Sequence, residues 1–182
     1  MTLGLVGLGY VGREVAVRAR ALGFTVLAHD PVPPGTIPAG VTMVSFDDLL
    51  KWSDIISVHA RESAANRHLF DTSAFARMRR GSHFINTARE SLVDEAALES
   101  ALAVGTLAGA ALDVAERRPA GVRHPLLDLP NVIITPHIGG ATWETLRRGA
   151  DMVVAAVAKM LAGEEPAYLL NPEYRARRAV LS

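Results

Sequence analysis

Three residues in this 182-residue chain carry charge or proton chemistry in settings that suggest a shared site: Arg89, Glu116 and His137. Arg89 closes the string Asn86-Thr87-Ala88-Arg89, Glu116 closes Ala111-Leu112-Asp113-Val114-Ala115-Glu116, and His137 sits within Thr135-Pro136-His137-Ile138-Gly139-Gly140. Each string stands at the end of a short apolar run of the kind that forms a buried strand, and the strand ends of an open α/β sheet are where ligands bind. An imidazole with an ordinary pKa of about 6.5 exchanges a proton near neutral pH, and a nearby carboxylate raises that pKa and orients the ring. His137 and Glu116 are therefore a candidate acid/base pair. Arg89 stays charged and can grip a carboxylate in bidentate fashion or polarise a carbonyl oxygen. Taken singly, each has a bland reading too: a loop histidine after Pro136, a surface ion-pair arginine, a glutamate in a solvated cluster with Arg117.

A second motif, Gly7-Leu8-Gly9-Tyr10-Val11-Gly12, follows the run Leu3 to Val6 and opens a helical pattern. In that context the first glycine permits a tight turn, the second lets a pyrophosphate approach the backbone, and the third lets helix pack on strand. The helix N-terminus then offers free N–H groups to phosphates. Asp30 ends the second strand about 18 residues after Gly12, where a carboxylate accepts from ribose hydroxyls and repels a 2′-phosphate. Pro31 follows, with no Arg to neutralise such a phosphate, so NAD is favoured over NADP. The bland alternative is a glycine turn with a solvated aspartate. His59 and Ala60 follow the fourth strand on the same edge and join the candidate cofactor set, although His59 also reads as a structural histidine capping a loop.

The elements that must position these residues alternate strictly. Strands are expected at Leu3 to Val6, Thr25 to Ala28, Thr42 to Val44, Ile55 to Val58, His83 to Ile85, Ala108 to Leu112 and Val132 to Thr135. Helices are expected at Gly12 to Leu22, Phe46 to Trp52, Thr72 to Met78, Asp94 to Val104 and about Thr142 to Leu161, with Gly163 as a stop. That alternation implies right-handed crossovers and an α/β, doubly wound, mostly parallel sheet of Rossmann type in a single cofactor-binding domain. The expected domain is 1–163, with a C-terminal tail at 164–182. The stretch from Pro31 to Pro38 holds four prolines and is a loop, as is Ala115 to Asn131.

Composition narrows the class of function. Lys plus Arg and Asp plus Glu both number 19, so no basic surplus points to nucleic acid or an anionic membrane, and a small ligand is the better match. With no cysteine there is no disulfide framework and no cysteine-based zinc site, and no metal is expected. A cytoplasmic location is the expectation. The most apolar stretch, Ala101 to Leu112, is broken by Gly105 and Thr106 and falls short of the roughly 20 residues a membrane span needs. The N-terminus does not read as a signal peptide.

From Leu3 to about Asp151 the sequence resembles the cofactor-binding domain of the D-isomer-specific 2-hydroxyacid dehydrogenases, on the ordered motifs quoted above. The resemblance implies NAD as cofactor and a small 2-hydroxy or 2-oxo acid as substrate. It implies Arg89 as the substrate-binding arginine, Glu116 as the partner acid and His137 as the proton donor. Asp113 corresponds to the carboxylate that accepts from the nicotinamide carboxamide, and Thr87, Ala88 and Gly140 line the nicotinamide end. Arg89, His137 and Gly139 adjoin that lining and join the cofactor set with Gly7, Gly9, Tyr10, Val11, Gly12 and Asp30. The strings Val93-Asp94-Glu95-Ala96-Ala97-Leu98 and His124-Pro125-Leu126-Leu127 stand where the family has similar ones.

The resemblance also implies a homodimer through the cofactor domain and a split substrate domain, absent from this chain, to which the tail Tyr168 to Glu173 would return. Departures from the family pattern are Tyr10 in place of a basic residue, Glu90 where glycine is common after the arginine, and His59 to Ser63 in place of a Pro-Leu-Thr string. Three readings follow: a dehydrogenase half holding cofactor and acid/base residues, an NAD(H)-binding module without turnover, and a structural fragment that binds no nucleotide.

Overall fold

The structure, a computed structural model, describes residues 1–33, 35–169, 171 and 173. Pro34 of the proline-rich loop and most of the tail after Leu169 lie outside the described residues. In chain order the elements are β1 (Thr2–Val6), α1 (Tyr10–Ala21), β2 (Thr25–His29), β3 (Val41–Met43), α2 (Phe46–Trp52), β4 (Ile55–Val58), α3 (Thr72–Arg77), β5 (Ser82–Asn86), α4 (Glu95–Ala103), β6 (Leu107–Leu112), β7 (Val132–Ile134) and α5 (Trp143–Leu161). All seven expected strands form, and they join one sheet in the order β3-β2-β1-β4-β5-β6-β7 with every pairing parallel. The order reverses between β1 and β4, which puts the mouth of a crevice at the carboxyl ends of those two strands.

Burial on both faces explains why the strands are apolar nearly throughout. On one face Leu3 and Leu5 of β1 and Val26 and Ala28 of β2 pack with Ala16 and Ala19 of α1. On the other, Val6, Ile56, Val58, Phe84 and Leu112 pack with Leu49 and Leu50 of α2, Phe75 of α3 and Leu98 and Leu102 of α4. The alternation of Leu5 and Val6 between these clusters follows from the two-residue period of a strand. Phe84 anchors the second cluster, with ring centroids 4.8 Å from Phe70 and 5.3 Å from Phe75.

Helices α2, α3 and α4 begin on side-chain caps that the sequence supplies. Ser45, Asp71 and Asp94 each accept backbone N–H groups at the starts of α2, α3 and α4. Helix α1 starts at Tyr10, earlier than the glycine pattern suggests, with Gly9 as an extended N-cap and Gly12 already inside the helix. Short 3-10 turns at Ala64–Asn66, Glu90–Leu92 and Pro125–Asp128 lie outside the expected strands and helices, the last of them in the expected loop of 115–131.

The chain divides into two compact units, Met1–Gly139 and Gly140–Ser182. The sheet belongs to the first. Helix α5 belongs to the second, whereas the sequence groups it with the sheet through Gly163. Thr142 caps α5 by accepting from Thr145 N–H, and no residue of α5 is buried. Among the described residues no helix is long and apolar enough to cross a membrane.

Candidate functional site

The glycine turn is built by exclusion of side chains. Gly7 has φ +94°, and a Cβ there would lie 2.6 Å from the Ala60 nitrogen, so only glycine permits the turn beside β4. A Cβ on Gly12 would meet the Gly7 carbonyl oxygen at 2.2 Å, so this position sets how closely α1 approaches the turn. Gly9 differs: nothing lies within 4 Å of its absent Cβ. The three glycines thus enclose a close-packed turn with one open side above the N-terminus of α1, a cradle that a phosphate would occupy and a side chain would fill.

Asp30 ties the second strand to this turn. Its Oδ2 accepts Leu8 N–H at 2.8 Å, and its Oδ1 accepts Val32 N–H at 2.9 Å. The carboxylate is therefore held half-buried at the end of β2 beside the cradle, where a ribose would present its hydroxyls. Tyr10 is 85% exposed on the first turn of α1, Val11 is also exposed, and the Arg13 guanidinium lies 5.2 Å from the centre of the Tyr10 ring. A cation thus stands one turn from the place where the sequence lacks a basic residue.

His59 forms part of the floor. Its backbone N–H bonds to the Val6 carbonyl at 2.7 Å, and its Nε2 lies 3.0 Å from Ser57 Oγ. Burial pushes the imidazole pKa down from 6.5 to about 4, so the ring is neutral under ordinary conditions. Ala60, half-buried beside it, packs against the turn of Gly7.

The turn after β5 is stitched by Asn86, a residue that the sequence motifs alone do not single out. The buried Asn86 side chain accepts Ala88 N–H and donates to the Arg89 carbonyl, both at 2.9 Å. Asn at a strand's last position, one residue before a turn, is a recognisable signal for this arrangement. Ala88 is buried, Thr87 is exposed, and the exposed Arg89 donates from Nη1 to the Ala88 carbonyl at 2.6 Å. No ion pair joins Glu90 to Arg89 among the described residues, so the arginine's charge is not cancelled there.

After β6, Asp113 organises the next loop. Its carboxylate accepts from Thr135 Oγ1 at 2.5 Å, Ile138 N–H at 2.9 Å and Gly139 N–H at 2.8 Å. The Thr135 hydroxyl, with those two N–H groups and the nearby His137, holds its pKa below the ordinary carboxylate value despite burial. His137 lies between these bonds, exposed, with φ +57°. A left-handed conformation costs a non-glycine residue roughly 1–3 kcal/mol, and the bonds around Asp113 offset it. Gly140 opens the second unit and accepts Thr142 N–H.

Glu116 does not meet His137 in this structure: among the described residues no hydrogen bond or ion pair joins them. Glu116 instead lies 3.6 Å from Arg118, and its backbone N–H bonds to Glu95 at 2.6 Å. What the fold does bring together is the carboxyl edge of adjacent strands, with the glycine turn after β1, Asp30 after β2, His59 after β4, Arg89 after β5, Asp113 after β6 and His137 after β7. No cluster of three or more metal-ligating side chains occurs among the described residues.

Residues 1–139 match the family described as D-isomer specific 2-hydroxyacid dehydrogenase, NAD binding domain. The chain is 40% identical over 93% of its length to D-3-phosphoglycerate dehydrogenase 2, chloroplastic, of Arabidopsis thaliana, of which it spans 28%. It is 42% identical over 88% of its length to the hydroxypyruvate reductase of Thermotoga maritima, of which it spans 53%. Its fold superposes on the crystal structure of D-lactate dehydrogenase with NAD+ from Lactobacillus jensenii with a TM-score of 0.87 at 31% identity, covering 93% of this chain and 55% of that one. The chain therefore spans about half, or less, of the length of the relatives it matches.

Proposed function

The chain belongs to the D-isomer-specific 2-hydroxyacid dehydrogenase family, whose NAD-binding domain it carries, and from that premise we propose that it forms the cofactor and acid/base half of an enzyme interconverting a small 2-oxo acid and its 2-hydroxy acid. The observation that carries this reading is the single sheet edge on which the glycine cradle, Asp30, Arg89, Asp113 and His137 all stand.

Gly7, Gly9, Gly12 and the N-terminus of α1 would hold the pyrophosphate of NAD, and Asp30 the adenosine ribose. A bound nicotinamide would supply hydride exchange at the carbon that bears the substrate oxygen. The protein's part is to bind, orient and move a proton. Charged His137 donates its proton to the carbonyl oxygen in reduction, and neutral His137 takes the hydroxyl proton in oxidation. Arg89 grips the substrate carboxylate or steadies negative charge growing on the oxygen. Asp113 fixes the loop on which His137 stands, and Glu116, the acid that the family resemblance implies, would have to leave Arg118 to meet the imidazole. A homodimer is part of the same reading, supported by the exposed apolar residues Trp143, Leu146, Val153, Val157 and Leu161 along α5. A cytoplasmic setting is supported by the cysteine-free composition.

The test is a fluorescence titration of the purified chain with NADH and NADPH in parallel, followed by NADH oxidation with glyoxylate, hydroxypyruvate and pyruvate. Saturable binding that favours NADH, with turnover lost and binding kept in His137→Gln, is the expected result. Equal loss of binding in that variant would remove His137 from the proton-transfer role. Binding of NADH without turnover of any 2-oxo acid would leave a nucleotide-binding module.

A further inference from the structure

The turn from β1 into α1 holds no basic side chain from Gly7 to Gly12, and two of its backbone donors are already spent. Gly7 N–H bonds to the His29 carbonyl at 2.8 Å, and Leu8 N–H bonds to Asp30 Oδ2 at 2.8 Å. Asp30 thereby adds a negative charge at the rim of the cradle. Helix α1 opens without a side-chain cap and with no acidic residue in its first turn, so the pull of its N-terminal amides on an anion is not cancelled. A diphosphate held there would gain from those amides and lose to Asp30, and a cation at the helix start would tip the balance.

Helix α1 carries three arginines, and one of them is held differently from the others. Arg18 is paired with the Glu14 carboxylate and also donates to the Glu14 carbonyl at 2.9 Å. Arg20 donates to the Gly40 carbonyl at 2.7 Å. Among the described residues no oxygen accepts from the Arg13 guanidinium, which lies over the Tyr10 ring, 5.2 Å from its centre. Helical side chains lean toward the N-terminus and residues three apart share a face, so a guanidinium from position 13 comes to rest over position 10. The Tyr10 ring is 85% exposed and belongs to neither core cluster. Arg13 is thus a cation without a counter-charge, kept at the end of a helix where the dipole disfavours positive charge. Core packing and helix stability do not account for that placement, and an incoming anion does.

We propose that Arg13 supplies the cation that meets the pyrophosphate of the cofactor in this chain, and that Tyr10 is its positioning residue, holding the guanidinium toward the start of α1 through the face of its ring. This rests on the reading of the glycine turn as the NAD site. The exposed aromatic in the glycine loop then has a use: it carries no charge of its own and borrows one from the next turn.

NADH titrations of the full chain at rising NaCl concentration test this, with ADP-ribose and NADPH as second and third ligands. Arg13→Met is expected to bind all three roughly 10- to 100-fold more weakly, by equal factors, and with a flatter dependence on salt than the parent. Tyr10→Phe should bind as the parent does, and Tyr10→Ala about two- to fivefold more weakly. In an Arg13→Met background Tyr10→Ala should cost nothing further, because the ring acts through the arginine. Without ligand, Arg13→Met should melt no earlier than the parent, since it removes a positive charge from the positive end of a helix. Parent affinity or an undiminished salt dependence in Arg13→Met would overturn the proposal, as would an earlier melt, which would mark the arginine as structural. A loss confined to NADPH would assign Arg13 to the 2′-phosphate instead, and a Tyr10→Ala loss that persists without Arg13 would place the ring against the cofactor itself. A parent chain that binds neither NADH nor ADP-ribose ends the nucleotide reading and this proposal together; a parent that binds both and is indifferent to Arg13 ends this proposal alone.

Discussion

Gly139 donates its backbone N–H to Asp113 Oδ2 at 2.8 Å, and a Cβ at position 139 would stand 2.9 Å from that same oxygen. The carboxylate cannot step aside, because Thr135 and Ile138 hold its other oxygen. The loop that presents His137 is thus locked by a contact that tolerates no side chain.

Gly139→Ala is expected to cost about 1–3 kcal/mol in urea unfolding and to lower turnover more than NADH binding, because the strain falls on the His137 loop. Asp113→Asn would trade an acceptor for donors facing two N–H groups and should cost a similar amount. Since Asp113 has a lowered pKa, its contribution is present above about pH 4 and lost as pH falls through the folded value. A variant as stable as the parent would mean that the loop is held by other contacts.

His59 imposes a second pH dependence, of opposite origin. Its folded pKa of about 4 lies below the ordinary 6.5, so the unfolded chain takes up a proton that the folded chain refuses. Stability is full above pH 6.5 and declines as pH drops toward 4, by about 3 kcal/mol at most and less in proportion to the ring's partial exposure. Urea midpoints at pH 7 and pH 5 should differ in the parent and converge in His59→Gln. Equal slopes in both would assign the effect to another group.

The glycine turn separates folding from binding. Gly9→Ala has room for its methyl and an ordinary φ of −69°, so its unfolding midpoint should match the parent while NADH binding weakens by about tenfold or more. Gly12→Ala, with its Cβ 2.2 Å from the Gly7 oxygen, should lose more than about 2 kcal/mol of stability. Matched thermal melts and NADH titrations of the two variants check the contrast.

Asp30→Ala removes both the acceptor for Leu8 N–H and the charge that repels a 2′-phosphate. NADH affinity is expected to fall by about tenfold, with NADPH affinity falling less, so that discrimination narrows. Unchanged preference for NADH would place the selectivity elsewhere.

Sequence alone determined the strands, their parallel pairing and the glycine turn after the first of them. Apolar runs of strand length alternating with helical patterns leave few topologies, and a glycine turn declares itself because Gly7 and Gly12 must lack side chains for steric reasons local to the turn. The strand-end placement of Arg89, Asp113 and His137 was legible for the same reason: a residue after a buried strand has one edge to go to.

Tertiary structure decided what those residues touch. Asn86 and Asp113 act through bonds to backbone N–H groups, which have no sequence signature at the donating end. Glu95 reaches Glu116 across 21 positions and His124 across a fold, so neither contact follows from spacing, and Glu116, expected as the partner of His137, is found beside Arg118. What covers α5 is not written in the sequence either, because a helix's apolar stripe states that a face needs covering and not by what. Local sterics and hydrophobic period are written residue by residue; long-range polar partnerships exist only once the sheet has brought distant loops to one edge.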